Sequence, residues 1–125
     1  IFYIQYAGAR LHSIFEKAGQ SFDSASFPAL REPEEMHLLR VLAKFPDMIE
    51  DISRQYHVHH LAQYTYDLAT LFHKWYEAQR VIQDDAHLQS ARVGLACAVA
   101  VVLKSCLDLM GIDMPERMER LNPEA

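Results

Sequence analysis

An all-α fold, a bundle of five helices, is what this sequence predicts, and three observations carry the prediction. Apolar residues recur three and four apart along most of the 125 residues, which is the period of a helix. Between those stretches stand residues that stop or start helices: Gly19, Pro33, Pro46, Asp84, Asp85 and Gly111. The alternation expected of a half-buried strand does not compete with this period anywhere. A chain of this length also suits one compact domain with one core.

The first helix places Ile4, Ala7, Leu11, Ile14 and Ala18 on one stripe and stops at Gly19. From Gln20 to Arg31 three serines and Pro28 interrupt any sustained period, so this stretch reads as a flexible connection, with Phe22 and Phe27 as candidate pins to the core. Pro33 followed by Glu34 and Glu35 opens the second helix, because proline tolerates the first turn and carboxylates favour the positive end of the helix dipole. That helix runs to about Phe45. Pro46 and Asp47 repeat the chemistry for a short third helix, with Met48, Ile49 and Ile52 inward and an end near Tyr56, and the two helices are expected to pair tightly.

Leu61, Tyr64, Leu68, Leu71 and Trp75 set the stripe of a long fourth helix from about His60 to Ile82. Asp84 and Asp85 are cap candidates for the fifth, which carries Leu88, Ala91, Leu95, Ala98, Val102, Cys106 and Leu109 inward. The short connection folds helix five back against helix four, with Leu61, Leu68, Leu71, Leu95, Val99 and Val102 between them. From Ile112 onward, Pro115 and Pro123 predict an irregular tail.

Charge and cysteine usage narrow the setting. With 12 Lys+Arg against 17 Asp+Glu the formal net charge is -5, so any nucleic acid must be met by a local patch rather than by the whole surface. Cys97 and Cys106 stand nine residues apart on one helix, roughly 13 Å along its axis, and cannot bridge each other. Two unpaired thiols and no recognisable signal peptide point to a reducing, cytoplasmic setting. The longest apolar run, Val93 to Leu103, has 11 residues, short of the roughly 20 that span a bilayer. It reads as a buried core helix.

Catalytic constellations are missing from the sequence. Four glycines form no phosphate-binding loop. His57, His59 and His60 are the strongest metal candidates, but they have no cysteine or carboxylate beside them at metal-site spacing. Two aromatic and basic faces are more informative. Tyr3, Tyr6, Arg10 and Lys17 lie opposite the apolar stripe of helix one, and Tyr66, His73, Tyr76 and Arg80 share an exposed side of helix four. Unpaired RNA bases stack on such rings and guanidinium planes. Tyrosines covering a helix junction give the same pattern.

Three motifs then stand in order along the chain. Tyr3 to Arg10 reads YIQYAGAR, His59 to Ala69 reads HHLAQYTYDLA, and Ala91-Arg92-Val93 leads through an apolar helix to Leu109-Met110-Gly111-Ile112 and Pro115-Glu116-Arg117-Met118. The sequence resembles the C-terminal anticodon-binding domain of arginyl-tRNA synthetases, where these segments take the forms Y-x-Q-Y-A-H-A-R, H-R-L-A-x-Y-L-Y-D-L-A, A-R-L, L-L-G-I and P-E-R-M. Gly8 departs from the family's histidine, Val58 stands where a proline is common, and Glu119 to Ala125 run past the usual terminal methionine.

The resemblance implies a helical DALR fold over residues 1–118, an irregular tail over 119–125, and recognition of the anticodon loop of tRNA for arginine. ATP, with magnesium, would be used by an upstream Rossmann-type catalytic domain, which would also be a partner. This domain itself would need no cofactor and no catalytic residue, and neither DNA nor a membrane is an implied partner. Tyr76 and Met118 match positions that touch anticodon bases in the family, with Tyr6, Arg10 and Arg92 as further RNA-binding candidates. Met118 could instead cap the groove between helices one and five, and Arg92 could pair with a carboxylate such as Asp67. An alternative function is a related helical domain used for protein contacts without tRNA.

Overall fold

The structure, a computed structural model, describes residues 2–55 and 58–111. Five α-helices, α1 (Phe2–Ala18), α2 (Pro33–Ala43), α3 (Phe45–Gln55), α4 (Val58–Ala78) and α5 (Ala86–Leu109), form the bundle, and no strand occurs among the described residues. Their core gathers Leu11 and Ile14 from α1, Leu38 from α2, Leu68, Phe72 and Trp75 from α4, and Leu95, Val99 and Leu103 from α5. Burying one stripe from each helix is what holds helices this short in place.

The first helix follows its stripe, burying Ile4, Ala7, Leu11 and Ile14. It ends where Gly19 takes φ +74°, a left-handed conformation that closes a helix at little steric cost only for glycine. The stretch after it corrects the expectation of a flexible connection. Ser24–Ala29 form a 3-10 helix, with the Asp23 carboxylate accepting from the Ala25 amide at 3.0 Å. This segment lies along α5, where the bare backbone of Gly94 accommodates the Phe27 ring. Phe22 and Phe27 stack with centroids 5.6 Å apart.

Pro33 sits in the first turn of α2 and Asp47 in that of α3. The expected tight pairing of these two helices is not the main contact; α3 leans chiefly on α4. Tyr64 provides the joint, its ring beside Phe45 and its hydroxyl donating to the Val41 carbonyl at 2.7 Å. Thr65 meets Cys106 at one end of the α4/α5 pair and Gln79 meets Arg92 at the other, so the two helices run antiparallel.

Two expectations about α4 and α5 are corrected. Helix α4 stops at Ala78, four residues before the expected end, and the connection spans 79–85 before Asp85 caps α5 by accepting from the His87 and Leu88 amides. On α5 the inward face holds Ala91, Arg92, Leu95, Ala96, Val99, Leu103, Cys106 and Leu107, while Ala98 is exposed and Leu109 is 61% exposed. Because the helix is apolar nearly all round from Val93 to Leu103, several stripes fit its sequence equally well. Its neighbours choose among them, since α1, α2, α4 and the 3-10 segment all contact it.

Candidate RNA interface

The aromatic face of α1 and that of α4, separate in sequence, meet in one seam. Arg10 lies at its centre. Its guanidinium sits 4.8 Å from the Tyr6 ring centroid and 4.5 Å from that of Tyr76, within cation–π range of both. Nη1 donates to Nδ1 of His73 at 3.0 Å, and Nε2 of His73 donates to the Tyr3 carbonyl at 2.8 Å. These two bonds select the neutral tautomer carrying its proton on Nε2. Burial lowers the His73 pKa below its ordinary value, and the adjacent Arg10 charge pushes in the same direction. Tyr3 stacks on Tyr66 with centroids 5.9 Å apart, extending the seam beyond His73.

His73 therefore corrects the expectation of a shared exposed side, being 2% exposed beneath the rings. Tyr3, Tyr6 and Tyr66 keep about two-fifths or more of their surface in solvent, and Tyr76 is half-buried. A cavity of about 330 Å³ opens beside Tyr76. Helix α1 lines it with Ser13, Ile14 and Lys17, and the connection lines it with Gln79, Arg80, Val81 and Ile82. One aromatic face, an apolar floor and two flanking cations suit a planar ring attached to a phosphate chain. The volume is at the small end of the usual range for ligand sites.

The five sequence-derived RNA candidates have different fates in the fold. Tyr6, Arg10 and Tyr76 come together in the seam. Met118 lies outside the described residues. Arg92 is 6% exposed, and its partner is Glu35 rather than Asp67, with Nε 2.8 Å from the carboxylate; Asp67 instead accepts from Gln63. The same Glu35 oxygen accepts from Nε1 of Trp75 at 3.0 Å. Sequence reasoning overlooked Glu35, though two clues were present: a buried tryptophan needs an acceptor, and an arginine inside an apolar helix needs a counter-charge.

Of the histidine cluster, His57 lies outside the described residues, while the His59 and His60 rings touch, with centroids 4.1 Å apart. Among the described residues no group of three possible metal ligands occurs. Cys97 and Cys106 are both free thiols, and burial raises the pKa of each.

Fold and seam together define an all-α domain that presents a clamped aromatic ring beside a small cation-flanked cavity. Residues 4–118 match the family described as the DALR anticodon binding domain, and the chain belongs to that family. It is 41% identical over 124 residues to an arginine–tRNA ligase of Geotalea daltonii and 41% identical over 125 residues to one of Desulfitobacterium hafniense, in each case covering 94% of this chain and 22% of the relative. The arginyl-tRNA synthetase of Thermus thermophilus superposes with a TM-score of 0.82 at 33% identity, over 93% of this chain and 21% of that one. The chain thus spans about a fifth of the length of the curated relatives it matches.

Proposed function

We propose that this chain is the anticodon-binding domain of an arginine–tRNA ligase, and that an unstacked anticodon-loop base lies against Tyr76 in the cavity beside it. The observation that carries this reading is the Tyr76 ring, held by Arg10 at 4.5 Å and set beside a cavity flanked by Lys17 and Arg80. Flanking cations supply the local attraction that a chain of net charge -5 otherwise lacks. The parent enzyme would join arginine to its tRNA in the cytoplasm, using ATP bound by its catalytic domain, while this domain contributes recognition. Arg10 serves the site by bearing on Tyr76, Tyr6 by packing on Arg10, and both face the RNA along the seam. Met118 is proposed as a further base contact from its motif alone. Arg92 is not proposed as a contact, since its guanidinium is engaged inside the protein.

The test is Tyr76→Ala in the full-length enzyme. A lost base stack is typically worth roughly 1 to 3 kcal/mol, so tRNA affinity should fall roughly 5- to 100-fold at about 1.4 kcal/mol per decade. Tyr76→Phe should keep most of the affinity, and arginine and ATP handling should persist in both. Unchanged tRNA affinity in a folded Tyr76→Ala protein would remove Tyr76 from the site.

A further inference from the structure

One wall of the cavity beside Tyr76 is not helical. Gln79, Arg80, Val81 and Ile82 begin the α4–α5 connection; the Gln79 backbone N–H still donates to the Trp75 carbonyl at 2.9 Å, and beyond it other groups take over from the helical ladder. Within the connection the Gln83 side-chain nitrogen donates to the Arg80 carbonyl at 2.6 Å, and two helices supply further groups. Arg92 on α5 donates from Nη1 to the Arg80 carbonyl at 2.8 Å and from Nη2 to the Gln79 side-chain oxygen at 3.2 Å, while its Nε stays on Glu35. Glu34 on α2 accepts from the Gln79 side-chain nitrogen at 2.8 Å. The Gln79 amide is therefore held at both ends. Turning it over would set donor against donor at Arg92 and acceptor against acceptor at Glu34.

Neither Arg92 nor Glu34 lines the cavity. We propose that Arg92 and Glu34 are positioning residues for the base pocket, holding the wall formed by Gln79 and Arg80 in the shape a stacked base requires. This rests on the proposed placement of a base against Tyr76. A wall fixed before binding spares the complex the cost of ordering it. Only arginine has the planar fork that reaches a carboxylate, a carbonyl and an amide oxygen at once. Glu34 carries a charge that repels phosphate, so its benefit at this edge is the hydrogen bond it accepts.

The experiment measures binding of an arginine-accepting tRNA transcript to the full-length protein. E34Q and E34A remove the same charge, and only glutamine keeps an acceptor for Gln79. E34A should bind roughly 3- to 10-fold more weakly than E34Q, the scale of one lost hydrogen bond. Arg92→Lys should weaken binding roughly 5- to 30-fold, for two lost bonds to the wall. It should also speed amide exchange at residues 80–83, and its binding penalty should largely vanish in a Tyr76→Ala background. If Arg92→Lys does not fold, the Glu34 pair decides the matter alone. Equal affinity of E34Q and E34A, with Tyr76→Ala still weakening binding, would overturn the positioning role and leave the base site standing. Full affinity of a folded Tyr76→Ala protein would overturn the base site itself, and the positioning role with it.

Discussion

Replacing Glu35 with alanine tests what joins α2, α4 and α5. The side chain is fully buried and accepts from Arg92 Nε at 2.8 Å, Trp75 Nε1 at 3.0 Å and the Glu32 amide at 3.2 Å. Alanine strands an indole N–H and leaves a buried guanidinium without its counter-charge, although Arg92 keeps its bonds to Arg80 and Gln79. Removing one partner of a buried pair costs about 3–5 kcal/mol. Glu35→Gln preserves shape and one carbonyl oxygen but turns an NH2 group toward a donor, an error of about 1–3 kcal/mol. Against a total stability of about 5–15 kcal/mol, the alanine variant should fold but unfold at much lower urea. At about 4 °C per kcal/mol for a chain near this size, its Tm should fall by about 12–20 °C. Trp75 is the only tryptophan, so its fluorescence reports the site directly, and helical circular dichroism should give the same midpoint. A Glu35→Ala protein within about 1 kcal/mol of wild type would refute the claim that this pair joins the three helices.

Three further outcomes are expected. Because the folded state lowers the His73 pKa from 6.5, unfolded chains bind more protons just below that value; the stabilisation is complete above it and declines as pH falls beneath it. His73→Gln retains a donor for Tyr3 and an acceptor for Arg10, so wild type should lose stability relative to it between about pH 7.5 and about pH 5.5, and parallel urea titrations would contradict the buried neutral imidazole. Gly94→Ala would drive a Cβ into the Phe27 ring and should cost about 1–3 kcal/mol in chemical denaturation, less when Phe27→Ala is already present. A thiol reagent should label half-buried Cys97 under native conditions and reach fully buried Cys106 only on unfolding, as mass spectrometry over a urea series would show.

The element pattern was legible because it depends on residues near one another in sequence. Ile4, Ala7, Leu11 and Ile14 announce a buried face, Gly19 ends it, and Pro33 and Asp85 open helices wherever the rest of the chain lies. The family could be read from three ordered motifs for the same reason. Half of the site was legible too: periodicity placed Tyr6 with Arg10 on one helix and Tyr76 on another, while Arg80 falls in the connection past the end of α4.

What local spacing does not contain is which faces meet. Helix α5 is apolar nearly all round, so its buried stripe was settled by the elements packed against it. His73 looked solvent-facing on α4 and became the buried base of the seam because α1 lies across it. The end of α4 was missed because no glycine or proline marks it; Arg92, 12 residues beyond Arg80, takes the carbonyl there. The chain by itself determined five helices and their family, since helix periods and caps are local. Only the tertiary structure decided that Arg10 would be clamped between Tyr6 and Tyr76, and that Arg92 would turn inward to Glu35, because a charge among apolar residues takes its place from partners that folding brings to it.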